Sequence, residues 1–264
     1  MDASCFYCSQ QPMLLAGLTP AWLADFVQAR QSLQQFQPNS WDVLEMFSGH
    51  GNLHRACQAA GLDAMGFDHI NGTAECLHHL KGLKTAVDRI LEVKPHGLVW
   101  FAPPCSCWTF LSSDNHKRCQ DNQYAGDASN IDVKLANSVA HIVAALIRLC
   151  ASLGLAVVVE QPSDSCLFSY GCIKKSLSMI QAQTIQTYLS AFSLNMPIPK
   201  LLVLKGTSKW LGSLFRNKPS RAFDTGQAYT KSADGRTTGQ AGLQATQQYP
   251  WAFGEAASVL AHLT

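Results

Sequence analysis

Two residues capable of nucleophilic and acid–base chemistry each follow an apolar stretch of this sequence. Cys105 comes after residues 99–102 and two prolines, and Glu160 comes directly after residues 155–159. A thiolate is a nucleophile and a carboxyl group exchanges protons, whereas a scaffold has no use for an exposed thiol beside a carboxylate. The pair therefore predicts an active site.

Both residues are predicted to lie at one edge of a parallel sheet. The apolar stretches before them are typical of buried parallel strands. Pro103 and Pro104 cannot continue a sheet ladder, so they direct the chain outward at the end of the strand. Open α/β sheets bind ligands outside the carboxyl ends of their strands. We therefore expect Cys105 and Glu160 to face the same crevice.

An upstream strand–turn–helix pattern predicts a cofactor site beside that crevice. A strand over residues 42–47 leads into Ser48-Gly49-His50-Gly51-Asn52, and a helix follows to residue 61. Gly49 and Gly51 allow a tight turn and a close approach to a ligand, and the helix N-terminus behind them presents free N–H groups. Asp68 ends a second short strand about 20 residues on, where an acid usually accepts hydrogen bonds from ribose hydroxyls.

The following segments complete the predicted sheet and its surroundings. A helix over residues 73–80, a stretch at 85–90 and a strand over 97–102 form a third unit. Asp88, just before a helical turn, either receives an adenine amino group or caps that turn, and the spacing does not separate the two.

The segment over residues 106–130 is too long and too polar for an ordinary connection, so it predicts a lid. A helix over 133–152, an edge strand over 198–204 and a terminal helix over 251–263 follow.

Composition is that of a globular protein with a large core, because 47% of the 264 residues are hydrophobic and only 14% are charged. We predict a helical extension over residues 1–40, with a helix starting at Thr19-Pro20, and a single catalytic domain over 41–264.

With no secretory pattern and no run of about 20 apolar residues, we expect an intracellular protein, nuclear or cytoplasmic, and no membrane partner. Cys5 and Cys8 could form half of a zinc site, but no second CxxC or HxxxH pair follows them, so ordinary thiols are favoured and we expect no metal site.

Basic charge is concentrated in one C-terminal segment. Residues 200–236 contain eight Lys/Arg against Asp224 and Asp234, a charge of +6, so the rest of the chain carries −4. This segment, predicted to be rich in loops, either holds a phosphate-bearing partner or forms an ordinary solvated face.

Taken together, residues 43–51, Asp88, residues 101–105 and residues 158–162 resemble the cytosine-C5 methyltransferase family, in which an F-x-G-x-G turn, a P-C dipeptide and a Glu-Asn-Val tripeptide occur in this order. The likeness covers roughly residues 41–163. It implies a Rossmann-like α/β fold, with a mostly parallel, doubly wound sheet and helices on both faces. It also implies S-adenosylmethionine as cofactor, and DNA or RNA as the partner held by the basic segment.

The resemblance also implies a role for each matching residue. Cys105 would add to C6 of cytosine and Glu160 would bind the base at N3, because C5 becomes nucleophilic only when both act. A base inside a duplex would first be flipped out. The residues that would hold the cofactor are Phe47 on the adenine ring, the turn residues Ser48, Gly49, Gly51 and Asn52, Asp68 on the ribose, Asp88 on the adenine amino group, and Pro104.

The sequence departs from the family pattern in three places. Gln161-Pro162 replaces Asn-Val, Asn52 replaces the last glycine of the turn, and Gly254-Glu255-Ala256-Ala257 stands where Gly-Asn-Ala-Val is usual. About a hundred residues follow Glu160, fewer than a separate target-recognition domain takes, and Arg216 and Arg221 are the only sign of an arginine-rich strand. The alternatives to cytosine methylation are therefore methylation of another acceptor, and a catalytically degenerate protein that binds cofactor or nucleic acid.

Overall fold

The computed structural model describes residues 40–221, 223, 229–231, 237–239 and 246–262. Six strands form one sheet in the order β2-β1-β3-β4-β6-β5. These strands are β1 (Trp41–Met46), β2 (Ala64–Phe67), β3 (Val93–Phe101), β4 (Ala156–Pro162), β5 (Gln183–Tyr188) and β6 (Leu201–Gly206). The helices are α1 (Asn52–Ala59), α2 (Leu80–Leu91), α3 (Ser113–His116), α4 (Ile131–Ser152), α5 (Gly171–Met179) and α6 (Trp251–His262). Strands β7 (Tyr229–Lys231) and β8 (Thr237–Gly239) form a separate antiparallel pair.

The sheet is mostly parallel, as predicted. Strands β2, β1, β3 and β4 pair in parallel, and β6 alone runs in the opposite direction, between β4 and β5. The predicted strand over 198–204 corresponds to β6, shifted by two or three residues, but it does not lie at the edge of the sheet because β5 pairs on its outer side. The carboxyl ends of the four parallel strands lie on the same side of the sheet, and Asp68, Cys105 and Glu160 lie at these ends.

Helices cover both faces of the sheet, which confirms the doubly wound α/β class. On one face α1 and α6 bury Leu53 and Phe253 against Trp100. On the other face α2 and α4 pack on Val99 and Val157. Helix α4 is long and apolar enough to span a membrane by composition alone. Nine of its residues are buried, including Val143 and Ile147 on the sheet, so here it is the central core helix.

The segment between β2 and β3 differs from the prediction. Residues 73–75 form a 3-10 turn and α2 spans Leu80–Leu91, so the stretch 85–90 is helical and no separate strand precedes β3. Leu83, Val87 and Ile90 recur at helical spacing and are buried in the core, and this burial determines the structure of the segment. The N-terminal extension, with Thr19, Cys5 and Cys8, lies outside the described residues.

Candidate active site

The turn after β1 has an unusual backbone. Phe47, Gly49 and Gly51 all have positive φ, at 63°, 51° and 70°. For an aromatic residue such as Phe47 this conformation costs on the order of 1–3 kcal/mol, and strain of this kind is concentrated at ligand sites. The Phe47 amide donates to the Phe67 carbonyl at 2.8 Å, which fixes the turn to the end of β2. The ring of Phe47 is half-buried and packs against the core, leaving part of one side exposed.

Asp68 fastens this turn from the neighbouring strand. Its carboxylate accepts from the Gly49 amide at 2.8 Å and the Ile70 amide at 3.0 Å, and it pairs with His69 Nδ1 at 2.8 Å. Burial alone would raise the pKa of Asp68, but the hydrogen bonds from His69, Ile70 and Gly49 together lower the pKa below its ordinary value. Asp68 is thus an ionised acceptor at the mouth of the turn.

The two glycines of the turn have different surroundings. A Cβ added at Gly49 would meet no atom within 4 Å, so open space adjoins its backbone. A Cβ added at Gly51 would collide with the His54 ring. That ring pairs with Glu45 at 2.7 Å, and Glu45 is buried with its Oε1 lacking a hydrogen-bond partner among the described residues. Gly49 therefore faces space for a ligand, whereas Gly51 makes room for His54.

Ser48 and Asn52 complete the turn through protein contacts. The Ser48 carbonyl accepts from the Gly51 amide at 2.7 Å. Asn52 Nδ2 donates to the Tyr249 carbonyl at 2.8 Å, which connects the turn to the segment before α6. Asn52, at the position of the family's last glycine, thus uses its side chain to fix the turn.

Cys105 and Glu160 lie in one charged environment at the carboxyl edge of β3 and β4. The charges of Glu160 and Lys200 both act on the Cys105 thiol, and the charge of Lys200 also acts on Glu160. Burial raises the pKa of Cys105, Glu160 and Asp164 raise it further, and Lys200 lowers it. Burial also raises the pKa of Glu160, which Lys200 and a hydrogen bond from Tyr249 lower in part. The structure therefore brings the predicted pair together, with a cation beside both groups.

Tyr249 connects Glu160 to the core. Its hydroxyl donates to Glu160 Oε2 at 2.9 Å and accepts from Trp100 Nε1 at 3.2 Å. The ring packs edge-on against Trp100 and also contacts Phe253. Glu160 Oε1 is buried and has no hydrogen-bond partner among the described residues. One carboxylate oxygen is therefore held by the protein, and the other remains available for a ligand.

Gln161 gives a structural reason for the departure from the family tripeptide. Its side chain is fully buried, its Nε2 donates to the Pro103 carbonyl at 2.6 Å, and its Oε1 accepts from Ser165 at 2.7 Å. The side chain thus fixes the Pro103-Pro104-Cys105 segment to the end of β4. Pro104 itself is exposed at this edge.

The segment after Cys105 is folded onto the protein around one buried cation. Arg118 stacks at 3.5 Å on the ring of Trp108. Its Nε donates to the Cys107 carbonyl at 2.7 Å, and its Nη1 donates to the Tyr124 carbonyl at 2.6 Å and to Asn137 Oδ1 at 2.9 Å. This anchoring differs from the open lid that the sequence predicts for residues 106–130.

Cys107 and Phe110 mark the two sides of that anchored segment. Cys107 Sγ contacts His116 Nε2 at 3.9 Å and the Asp132 carbonyl at 3.8 Å, so its thiol faces the start of α4. Phe110 is 74% exposed, five residues after Cys105. The two neighbouring thiols therefore have separate environments, and the segment that follows Cys105 exposes an aromatic ring at Phe110.

Asp88 is not brought to this site. It lies in the last turn of α2, and the Glu92 amide donates to its carbonyl. Helix α2 leads directly into the first residue of β3, so Asp88 lies toward the sheet edge opposite Cys105. Both interpretations of Asp88, adenine contact and N-cap, depended on a helix starting there, whereas the structure has a helix ending there.

The basic segment is partly internal. Arg221 donates to the carbonyls of Ser193 at 3.0 Å and Met196 at 2.9 Å, so it stabilises a loop. Lys209, Arg216 and Lys218 are exposed. The segment also contains β6, so it is less rich in loops than predicted. Lys231 belongs to β7, its side chain is not described, and Arg236 lies outside the described residues.

Lys200 and Tyr249 are the site residues that the sequence reasoning missed. Lys200 directly precedes the apolar strand β6, and because β6 runs antiparallel to β4, the residue before it lies at the carboxyl end of β4. From the sequence, Tyr249 could either stack a base or pack, with packing favoured, and its ring does pack. Its hydrogen bond to Glu160 spans 89 residues, so no local pattern could reveal it.

Comparisons with known proteins find similarity among solved structures. No family model matches the chain, and no curated protein matches it. Among solved structures, the methyltransferase EhMeth from Entamoeba histolytica is similar at 18% identity and a TM-score of 0.38, over 76% of this chain. The chain spans 64% of the length of that protein.

Proposed function

We propose that this protein is an S-adenosylmethionine-dependent methyltransferase that methylates C5 of cytosine in DNA or RNA through a covalent adduct on Cys105. One observation carries the proposal. Gln161 Nε2 donates to the Pro103 carbonyl at 2.6 Å, so the segment that carries Cys105 is held against the end of β4 that carries Glu160, a carboxyl group with a raised pKa. Activation of cytosine requires a thiolate at C6 and a proton donor at N3, and this edge supplies both groups.

The β1 turn fits the proposed cofactor on structural grounds. Open space adjoins Gly49, and an ionised acceptor at Asp68 lies at the mouth of the turn. Asp68 would hold the ribose hydroxyls, Phe47 would stack on the adenine, and the backbone at Ser48–Gly49 would surround the methionine end. When bound, S-adenosylmethionine would supply an electrophilic methyl group. Asp88 has no part in the proposed site because it lies toward the other edge of the sheet.

The protein's own residues would activate the base in a coupled step. Glu160 in its protonated form donates its proton to N3 while Cys105 Sγ bonds to C6, which makes C5 nucleophilic. Protonation of Glu160 also removes a negative charge that raises the pKa of Cys105. Burial raises the pKa of the Cys105 thiol and Lys200 offsets part of that rise, so the cation favours the thiolate relative to the same site without it. After methylation solvent water takes the C5 proton, the electron pair left behind re-forms the C5–C6 double bond and expels Cys105 Sγ as the thiolate, and N3 returns its proton to Glu160.

Exposed cations and aromatic rings near the crevice support a nucleic acid as substrate. Arg216 lies over the Phe192 ring at 5.1 Å, and Phe215 beside it is 52% exposed. The Arg216 carbonyl accepts from the Tyr188 amide, which places this segment at the end of β5. Cations contact phosphates and aromatic rings stack on unpaired bases, so this arrangement suits a strand that enters the crevice.

A mechanism-based trap tests the proposal. We expect DNA or RNA that contains 5-fluorocytosine to form a denaturation-resistant adduct with the protein in the presence of S-adenosylmethionine, because fluorine prevents the release step. Cys105→Ala should abolish the adduct and Cys107→Ala should retain it, since the Cys107 thiol faces α4. Glu160→Gln should slow adduct formation severely, because an amide donates no proton.

Two outcomes would contradict the proposal. An adduct that persists in Cys105→Ala would refute the assignment of the nucleophile. Absence of an adduct with every cytosine polymer, in a protein that binds S-adenosylmethionine by calorimetry, would favour another methyl acceptor.

A further inference from the structure

One long stretch of this chain contains no acidic residue. Residues 165–223 include eight Lys/Arg and no Asp or Glu. In the structure this stretch forms α5, β5, β6 and the turns after them. The basic charge therefore extends beyond residues 200–236 to α5 and to the β5–β6 end of the sheet. Because residues 165–223 contain no carboxylate, this stretch cannot neutralise its own positive charge.

At the β5–β6 end of the sheet, part of the face on which α5 packs is exposed to solvent. On this face Lys205 of β6 is paired with Thr184 of β5, and Val203 is paired with Gln186. Thr184 and Gln186 are exposed, and Lys205 is half-buried. On the opposite face the neighbouring Leu202 and Leu204 are fully buried. This face therefore carries the exposed Thr184 and Gln186 and the half-buried Lys205 beside the buried Val203, in contrast with Leu202 and Leu204 on the face behind it.

A cavity of about 380 Å³ lies between α5 and this open face. Two lysines, Lys174 of α5 and Lys205 of β6, line it together with Phe168, Ser178 and Gln181. The Lys205 ammonium lies 4.9 Å from the centre of the Phe168 ring. Neither lysine has a carboxylate within 4.0 Å among the described residues. The cavity thus combines two cations, hydrogen-bonding side chains and an aromatic wall.

We propose that this cavity binds a backbone phosphate of a nucleic acid that lies across the open face of β5 and β6. We call the surface formed by Phe168, Lys174, Lys205, Thr184 and Gln186 the basic platform. The space exceeds what one phosphate needs, and the two ammonium groups complement its charge. The inference rests on the proposed function, because it names where the polymeric substrate is held outside the catalytic crevice.

The chain connects the basic platform to the active site. Phe168 lies eight residues after Glu160, and the turn before it pairs with the Cys105 segment through the Thr109–Ser165 bridge. The Cys166 amide also donates to the Trp108 carbonyl at 2.8 Å. A strand that leaves the crevice past this bridge would reach the turn that carries Phe168.

Nucleic-acid affinity and its salt dependence test the platform. The experiment uses the full chain carrying Cys105→Ala, so that no adduct forms, with fluorescein-labelled 30-nucleotide RNA and DNA followed by anisotropy. The test variant carries Lys174→Glu and Lys205→Glu. The control carries the same charge change on α2, at the exposed Lys81 and Lys84. Calorimetry with S-adenosylmethionine and thermal melting verify that each protein is folded and loaded.

We expect the test variant to bind at least tenfold more weakly than the control. Loss of the one phosphate contact in the cavity should also reduce the slope of log affinity against log salt by about 0.7–0.9. Equal weakening in the test and control variants would overturn the platform, because net charge alone would then explain the effect. The milder Lys174→Gln and Lys205→Gln pair should show the same change in slope if the reversed charges destabilise the fold.

Other outcomes separate the platform from other ligands and from the proposed enzyme. Inorganic phosphate that binds at the two lysines while oligonucleotide affinity is unchanged would assign the cavity to a free anion and overturn the inference. The same holds for lysine-dependent binding to phosphatidylserine vesicles without binding to oligonucleotides. Adduct formation on short cytosine substrates with no platform effect would leave the proposed function intact and refute the platform alone.

Discussion

Replacement of Tyr249 by phenylalanine should destabilise the protein in a pH-dependent way. The substitution removes one hydroxyl that donates to Glu160 at 2.9 Å and accepts from Trp100 at 3.2 Å. The ring contacts with Trp100 and Phe253 remain. The lost free energy therefore comes from two hydrogen bonds, with little change in packing.

The size of the effect follows from the two partners. Trp100 is fully buried, so its unpaired N–H costs about 1 kcal/mol at any pH. The bond to Glu160 contributes about 1 kcal/mol when the carboxyl group is neutral and about 2 kcal/mol when it is ionised. We expect Tyr249→Phe to lower the free energy of unfolding by about 2 kcal/mol at acid pH and about 3 kcal/mol where Glu160 is ionised.

The direction of the pH dependence follows from the raised pKa of Glu160. Between the ordinary pKa of a glutamate and this raised value, the folded state binds more protons than the unfolded state. The contribution of Glu160 to stability is therefore fully present below the ordinary pKa and is lost as pH rises through the folded value. Tyr249→Phe removes a hydrogen bond that lowers this pKa, so the loss should extend to higher pH in the variant.

Urea unfolding over a pH series measures both quantities. Tyr188→Phe is the control for removal of a tyrosine hydroxyl, since the Tyr188 side chain has no hydrogen bond among the described residues. In a Glu160→Gln background the effect of Tyr249→Phe should become independent of pH. A loss that is the same at every pH with Glu160 present would refute the hydrogen-bonded pair.

Three further predictions concern the turn, the cation and the anchored segment. Gly49→Val should abolish S-adenosylmethionine binding measured by calorimetry. The control Gly154→Val should cost similar stability and leave binding intact, because Gly154 also has a positive φ and open surroundings. Loss of binding in both variants would refute the turn as the site. Lys200→Met should shift the pH profile of adduct formation upward, since Lys200 lowers the pKa of Cys105, while Lys200→Arg should restore it; an unshifted profile excludes this role. Arg118→Lys should lower the free energy of unfolding by about 2–4 kcal/mol, because an ammonium cannot span the carbonyls that the guanidinium joins. Unchanged urea midpoints would show that Arg118 does not hold the segment.

The sequence predicted those parts of the site that depend on local pattern. Cys105 and Glu160 each follow a buried parallel strand, and strand ends of that kind meet at one edge whatever the rest of the chain does. The turn at Gly49 and the acid at Asp68 follow the same rule. These residues were found because each one is specified by its immediate neighbours.

The prediction failed where burial against distant elements decides the structure. Asp88 was placed on a segment between two strands, but Leu83, Val87 and Ile90 bury one helical face and draw the segment into α2. Strand β5 was missed because its polar residues face the open side of the sheet, so its sequence lacks the apolar content of a buried strand. Tertiary burial outweighs local propensity in both cases.

The segment before α6 connects the β1 turn to the end of β4. The Tyr249 carbonyl accepts from Asn52 in the β1 turn, and its hydroxyl donates to Glu160 at the end of β4. The Lys200 ammonium donates to the Thr246 carbonyl at 2.9 Å, three residues earlier in the same segment. A displacement of this segment would therefore alter the β1 turn, Glu160 and Lys200 together. If the proposed cofactor holds Asn52 in place when it binds, it also favours the arrangement of Tyr249 that orients Glu160, so the proposal predicts that the turn and the crevice act as one unit.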